Sequence, residues 1–483
     1  MADINVDSLL QIEVLGPSGN YRSRNRMIVS EVDGTPVAAL SLAPVPYVSR
    51  AMNALRKAKS ATREERLAVI ARAGEAFLHG EVAGLSAAAY QRLVSRVSGL
   101  GISEVRSAVG KISTFASDVW NRAQFARPGG VVATREDVSV GNGVGLWVRR
   151  GEVFGIHAAG NHPAIHGGWL EALALGYRVA VRPSRREPLT PWRLVTALRD
   201  AGFSRDQVVF LPTDYAAADE MIHGADLAMV YGGADVIEKY GGAKLFPQGP
   251  GRSKILIAGG LDWHDYVDLV ADSASRGGGT GCTNVTTILI EGNHEKATAF
   301  AQAVAEKLAR IPSLRPEDEA ALLPVQTLDD ARRIDGYLRE TAAGTRAVLG
   351  GDGVVDELGD GSAAMRPSVH VLNDATEVQS KGIELAFPCI WIAPWSQDDG
   401  LVPLQNTLNL VVIGAGDRLI DAALEDGSIR NVYAGAVPSY FGAPNMPHDG
   451  YLADFLMKPK GFLRRTDALA RDRPTMPTNP VTV

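Results

Sequence analysis

Cys282 follows the run Gly277-Gly-Gly-Thr-Gly281, so four of the five residues before the sulfur lack a side chain. Such a run lets backbone approach a ligand closely. A lone thiol between it and a strand is placed to attack a carbonyl carbon. The competing reading is a buried structural cysteine, the commoner fate of a free thiol, and spacing alone leaves both open. In a second segment, His157-Ala-Ala-Gly-Asn161-His-Pro-Ala-Ile-His166, a strand ends, the chain turns at Gly160-Asn161, and a helix starts behind Pro163. The Asn161 amide there either caps the helix, its commoner use, or donates to an oxyanion beyond the strand ends. A third segment, Arg182-Pro-Ser184-Arg185-Arg186, puts cations after a parallel strand, where a cofactor phosphate or ribose binds. A solvated charge cluster is the plainer alternative. The fourth, Val230-Tyr-Gly232-Gly233, runs from a strand into a helix start whose free N–H groups can hold a diphosphate, a weak signal by itself.

These segments need elements to carry them. From Gly151 the pattern alternates strand and helix: strands at 153–158, 177–182, 208–211 and 227–231, helices at 166–175, 191–201 and 216–222. Apolar runs of strand length separated by helices imply parallel β-α-β units covered on both faces. A second α/β block begins near Lys254, with strands at 255–258, 286–291, 346–349, 368–372 and 389–393 and helices at 266–275, 295–309 and 328–341. Before both, helices are expected over 51–78, 85–97 and 103–125, and a β-hairpin near 131–148 turning at Gly141-Asn-Gly143. Gly350–Gly361 reads as a surface loop, and Cys389 as a buried, inert thiol in an apolar strand.

In this order and spacing the segments resemble the aldehyde dehydrogenase superfamily, over roughly nine-tenths of the chain. Gly155-Ile-His-Ala-Ala-Gly-Asn-His-Pro163 is similar to the family's Pro-Trp-Asn-Phe-Pro turn, Arg182-Pro-Ser-Arg185 to its Lys-Pro-x-Glu stretch, and Gly232-Gly233 to its Gly-Ser-Thr-x-x-Gly turn. Gly279-Thr-Gly-Cys282 is similar to its Gly-Gln-x-Cys segment. Glu384, in Gly382-Ile-Glu-Leu-Ala-Phe-Pro, falls at its ribose-binding glutamate, with the phenylalanine one residue late. The resemblance implies an α/β fold of the aldehyde dehydrogenase type: a Rossmann-like NAD(P)-binding domain (1–130 and 149–255), an α/β catalytic domain (256–440), and a small β oligomerisation element (131–148 and 441–483). It implies Cys282 as nucleophile, with Asn161 and the Cys282 backbone N–H holding the oxyanion. Arg182, Ser184, Arg185, Gly232, Gly233 and Glu384 are then the cofactor-binding residues, and the assembly is a homodimer or homotetramer.

Two departures from the pattern matter. The family's general-base glutamate falls here on Ile257, or Ala258 in the next register, in Lys254-Ile-Leu-Ile-Ala-Gly-Gly260. Neither deprotonates water, and a general base contributes about 10²–10⁴-fold. The favoured expectation is therefore an enzyme that interconverts an aldehyde and an acyl thioester, carried on CoA or a carrier protein. The alternatives are a hydrolytic aldehyde dehydrogenase and a catalytically degenerate nucleotide-binding subunit. Second, Arg185 stands where the family's glutamate meets the adenosine ribose. A cation there attracts a 2′-phosphate, with Arg186 beside it, so NADP is expected over NAD.

Composition narrows the field. The 483 residues carry a net charge of −6 and no sustained basic stripe, which argues against nucleic acid. Two cysteines far apart exclude a disulfide scaffold. Neither a secretory leader nor an apolar run of about 18 residues is apparent, so a cytoplasmic protein away from membranes is expected. His157, His162 and His166 invite a zinc reading, but no carboxylate or cysteine completes a set nearby, and no metal is expected. The Pro- and Thr-rich tail 471–483 reads as an extended or disordered arm.

Overall fold

Short runs such as Val179-Ala-Val181 and Ile255-Leu-Ile257 are too short for helices and too apolar for strands wet on one face. They fold into parallel sheets with both faces covered. The computed structural model describes residues 5–135, 143–240 and 242–463. One seven-stranded sheet has the order Leu245–Gln248, Leu227–Tyr231, Val153–His157, Arg178–Arg182, Val208–Phe210, Val14–Gly16, Gly19–Tyr21. Its first five strands are parallel. From the central strand Val153–His157 the chain builds outward one way and then, from Leu227, the other. The crevice at that reversal is where open α/β sheets bind ligands.

A second seven-stranded sheet has the order Arg346–Leu349, Ser368–Val371, Cys389–Trp395, Val285–Glu291, Ser253–Ile257, Thr407–Ile413, Ile429–Ala434. All but the first are parallel. Each sheet has its own apolar core. Helices Arg63–His79 and Ile102–Gln124 cover the first, the former opened by a Thr62/Glu65 capping box.

Several expectations need correcting. Val131–Val132 and Val144–Arg149 pair in parallel and so form no hairpin. Gly141 and Asn142, the expected turn, lie outside the described residues, as does the tail 471–483. Val144–Arg149 instead pairs antiparallel with Met457–Phe462 in a three-stranded sheet. The helix expected over 166–175 is two short pieces meeting at Trp169, just after Gly167-Gly168, a poor helix-forming pair. The segment 350–361 is not all loop: Val355–Glu357 pairs with Ser362–Met365, since Val354-Val355 has an apolar face to bury. Among the described residues no helix is long and apolar enough to cross a membrane.

Candidate active site

The two sheets meet edge to edge. Gly251-Arg252, Cys282 and Glu384 all precede strands of the second sheet, at its amino edge: Ser253–Ile257, Val285–Glu291 and Cys389–Trp395. The turns after His157, Arg182 and Tyr231 leave the carboxyl edge of the first. The edges touch where Asn161 Nδ2 donates to the Thr280 carbonyl at 3.1 Å, two residues before the sulfur. Burial and, after it, the charges of Cys282 and Asp449 raise the pKa of the Tyr231 phenol at the first sheet's strand end.

The loop ahead of Cys282 has a forced shape. Gly277, Gly278 and Gly279 all have left-handed backbone, with φ of 60°, 72° and 67°. Three consecutive residues there are tolerable only without Cβ atoms. Asn284 closes the turn, its Oδ1 accepting from Gly281 N at 2.8 Å and its Nδ2 donating to the Ser273 and Arg276 carbonyls at 3.0 and 2.9 Å. Ser253 Oγ donates to the Cys282 carbonyl at 3.1 Å. The thiol is half-buried, whereas Cys389 is buried and its pKa is pushed far up by burial.

The Cys282 Sγ lies 3.2 Å from His448 Nε2, and His448 Nδ1 lies 2.8 Å from Asp449 Oδ2. Burial works against the imidazolium, but the sulfur and Asp449 outweigh it and push the His448 pKa up to about 10. Sequence reasoning missed this pair. His448 lies 166 positions from the sulfur, and the one signal was a His-Asp in the Pro- and Gly-rich loop Gly442–Gly450. The positions aligned with the family's base, Ile257 and Ala258, are buried and apolar.

Glu384 joins the same edge. Its Oε2 accepts from Gly251 N at 2.7 Å and Arg252 N at 3.0 Å. Burial raises its pKa against the pull of those two amides, and Asp449 adds to the rise. The carboxylate thus spends one oxygen on holding the loop that faces Cys282.

The residues expected to bind a cofactor differ in their partners. Arg182 is 4% exposed; its Nε donates to Thr213 Oγ1 at 3.0 Å and its NH1 to His157 Nε2. Arg185 lies over the exposed Tyr215 ring, 4.8 Å from its centroid, and its Nε is buried without a partner. His157 Nδ1 is likewise buried and unpartnered. Arg186 does not join them: its guanidinium donates to the Ser98 carbonyl and to Gln326 Oε1, so the fold consumes the cation expected beside Arg185. Ser184 Oγ accepts from Arg186 N at 3.2 Å, and Ser184 packs so near Gly160 that a methyl group there would not fit. Gly232-Gly233 lead into the helix Ala234–Tyr240. Two orphaned polar atoms beside a cation and a flat ring suit a polar, anionic dinucleotide.

The three histidines do not converge. His162 Nε2 lies 2.9 Å from Glu104 Oε1, while His166 Nδ1, buried, accepts from Trp169 Nε1 at 3.1 Å. Among the described residues no group of three ligating side chains is placed to hold a metal ion.

Residues 28–410 match the aldehyde dehydrogenase family. No curated protein matches the chain. An NAD-dependent aldehyde dehydrogenase from Sinorhizobium meliloti is similar in structure, with a TM-score of 0.78 at 17% identity over 99% of this chain and 98% of that one. An indole-3-acetaldehyde dehydrogenase solved with NAD+ gives 0.77 at 17% identity, over 93% and 96% of the two chains. An NADP-dependent enzyme from E. coli gives 0.76 at 13% identity, over 95% and 99%.

Proposed function

The chain belongs to the aldehyde dehydrogenase family of NAD(P)-dependent oxidoreductases, and from that premise we propose that it interconverts an aldehyde and an acyl thioester through a covalent thioester on Cys282. The observation that carries this reading is the placement of a half-buried thiol where the two sheet edges meet, with the Asn161 amide at its loop and no carboxylate at the base position. The sulfur attacks the carbonyl carbon, and the carbonyl oxygen gathers charge beside Asn161 and the Cys282 backbone N–H. When bound, NADP supplies or accepts the hydride at that carbon.

The chain's own residues hold the cofactor as follows. The turn at Gly232-Gly233 would hold the diphosphate. Ser184 and Arg182 shape the strand end. Arg185 and the Tyr215 ring take the adenosine end, and the unpartnered Arg185 Nε–H supports a preference for a 2′-phosphate over a bare ribose. Glu384, with one oxygen on Gly251 and Arg252, would hold a ribose hydroxyl with the other. The three-stranded sheet ending in the exposed edge Met457–Phe462 supports assembly into a homodimer or homotetramer, since an unpaired edge invites a partner.

A second reading, oxidation of an aldehyde to a free acid, draws support from His448, 3.2 Å from the sulfur, whose imidazolium loses the support of the Cys282 charge once the sulfur is acylated and can then serve as a base. Product analysis separates the two. Protein, aldehyde and NADP+ are mixed with and without CoA, and a panel of acyl-CoAs is mixed with NADPH, each beside a Cys282→Ala control. Turnover that requires the thiol, with NADPH oxidation by acyl-CoA, is the expected result. Rapid release of carboxylate without a thiol would replace the first reading by the second.

A further inference from the structure

We propose that His448 is the acid–base partner of the Cys282 sulfur, with Asp449 as its positioning residue, so that thiol, imidazole and carboxylate act as one relay. This rests on Cys282 being the nucleophile, as read above. The contacts run in a line: sulfur to Nε2 at 3.2 Å, and Nδ1 to the Asp449 carboxylate at 2.8 Å. A carboxylate on Nδ1 fixes the ring and keeps that proton in place, leaving Nε2 to exchange a proton with the sulfur.

The loop that carries the imidazole is tied to the frame that carries the thiol. Asn431 Nδ2 donates to the His448 carbonyl at 2.9 Å and to Asn409 Oδ1 at 2.9 Å. Asn409 Nδ2 donates to the Ser439 carbonyl at 2.7 Å, and Ser439 Oγ donates to the carbonyl of Thr283, next to the cysteine, at 2.7 Å. Asn409, Asn431 and Ser439 are all buried. A satisfied buried polar network of this kind specifies one arrangement, here one that sets the ring against the sulfur. Among the charged and titratable groups around the relay, Asp449 acts on His448, Tyr231 from the first sheet feels Cys282 and Asp449, and Glu384 at the edge of the second feels Asp449 and Arg252.

The chemistry balances without a redox partner. The sulfur's proton passes to Nε2 and the sulfur keeps the electron pair. That pair forms the S–C bond to an incoming acyl thioester, and the carbonyl π pair moves to oxygen. When it returns, the bond to the departing thiol breaks, and His448 gives that thiol the proton first taken from Cys282. In reverse, an entering thiol hands its proton to His448. A histidine suits exchange between two thiols better than a carboxylate, because beside a charged sulfur the imidazolium is favoured and keeps the proton for the departing thiol, whereas a carboxylate holds protons far more weakly than a thiol does.

The test needs no substrate. Alkylation of Cys282 by iodoacetamide is followed by intact mass at pH 6 to 9 for the full chain, His448→Gln and Asp449→Asn, with Cys282→Ala as blank. Only the thiolate reacts, so His448→Gln should be slower by about tenfold or more at pH 6 and approach wild type at pH 9. Asp449→Asn should fall between. Should His448→Gln fold poorly, the His448 ring resonance is compared in wild type and Cys282→Ala, where it should titrate at lower pH without the sulfur. Equal alkylation profiles, or an unchanged resonance, overturn the proposal. Coupling that persists while no acyl adduct forms on Cys282 from acyl-CoA would instead refute the thioester reading alone.

Discussion

Gly251→Ala should disable the site through one methyl group. A Cβ built on Gly251 lies 2.6 Å from the Cys282 carbonyl carbon, 3.0 Å from its Cα and closer still to its oxygen. These neighbours are backbone, so no side-chain rotation relieves the clash. Gly251 is itself pinned, its N–H on Glu384 and its carbonyl accepting from Leu408 N at 2.7 Å. Its φ is not left-handed, so alanine brings no backbone strain and the whole effect is steric. Restoring an ordinary contact moves the Cys282 carbonyl oxygen by more than about 1 Å, a misplacement that costs on the order of 10²-fold in rate. The local overpacking costs about 1–3 kcal/mol of stability, which leaves a folded protein. The assay is kcat/KM for the cofactor-linked reaction, with urea unfolding as the folding control. A Gly251→Ala enzyme within about threefold of wild type would refute the argument that this glycine sets the sulfur's position.

Three further outcomes follow from the same geometry. Asn161→Ala should lower kcat by about 10²–10³-fold, the usual loss of an oxyanion donor, with iodoacetamide reactivity of Cys282 nearly unchanged; an equal fall in both would point to a loop support instead. Arg185→Glu should shift the NADP+ to NAD+ ratio of kcat/KM by at least about tenfold toward NAD+, equivalent to about 1.4 kcal/mol, and an unchanged ratio would place the 2′-phosphate elsewhere. His166 is 1% exposed and burial pushes its pKa down to about 3. The unfolded chain binds that proton near about pH 6.5, so the contribution of His166 is intact above that pH and lost as pH falls toward about 3, at up to about 1.4 kcal/mol per unit. His166→Gln, whose amide oxygen can accept from Trp169, should flatten the acid-side fall in urea midpoint; parallel curves would refute this.

The sheets were readable because their strands are short, apolar and separated by helices, a pattern with one layered solution. The segments of Cys282 and Asn161 could be singled out because the glycine run and the strand–turn–helix are local in sequence, and the contact from Asn161 to Thr280 shows the two segments meeting. What stayed hidden depends on distance along the chain. His448 and Asp449 sit in a loop with no periodicity, and only docking through Asn431 and Ser439 brings them to the thiol. Arg186 misled for a related reason: a cation beside a cation reads as one site, but its acceptors, Ser98 and Gln326, belong to remote segments. The parallel pairing of Val131–Val132 with Val144–Arg149 could not be seen either, since a third strand, Met457–Phe462, completes that sheet from the far end of the chain.

The three left-handed glycines before the sulfur have no side chains with which to hold their own curve; other segments cast it. Gly277 lies against Glu104, Gly278 against Leu322 and Pro324, and Gly279 against Phe387 and Pro388. The thiol is therefore aimed by a mould of three parts drawn from a helix start, a loop and the approach to a strand. Most of that mould is backbone; only Glu104 and Pro324 press on the glycines with side chains, so loss of activity on substitution at either reports on the mould's fit and not on chemistry performed there.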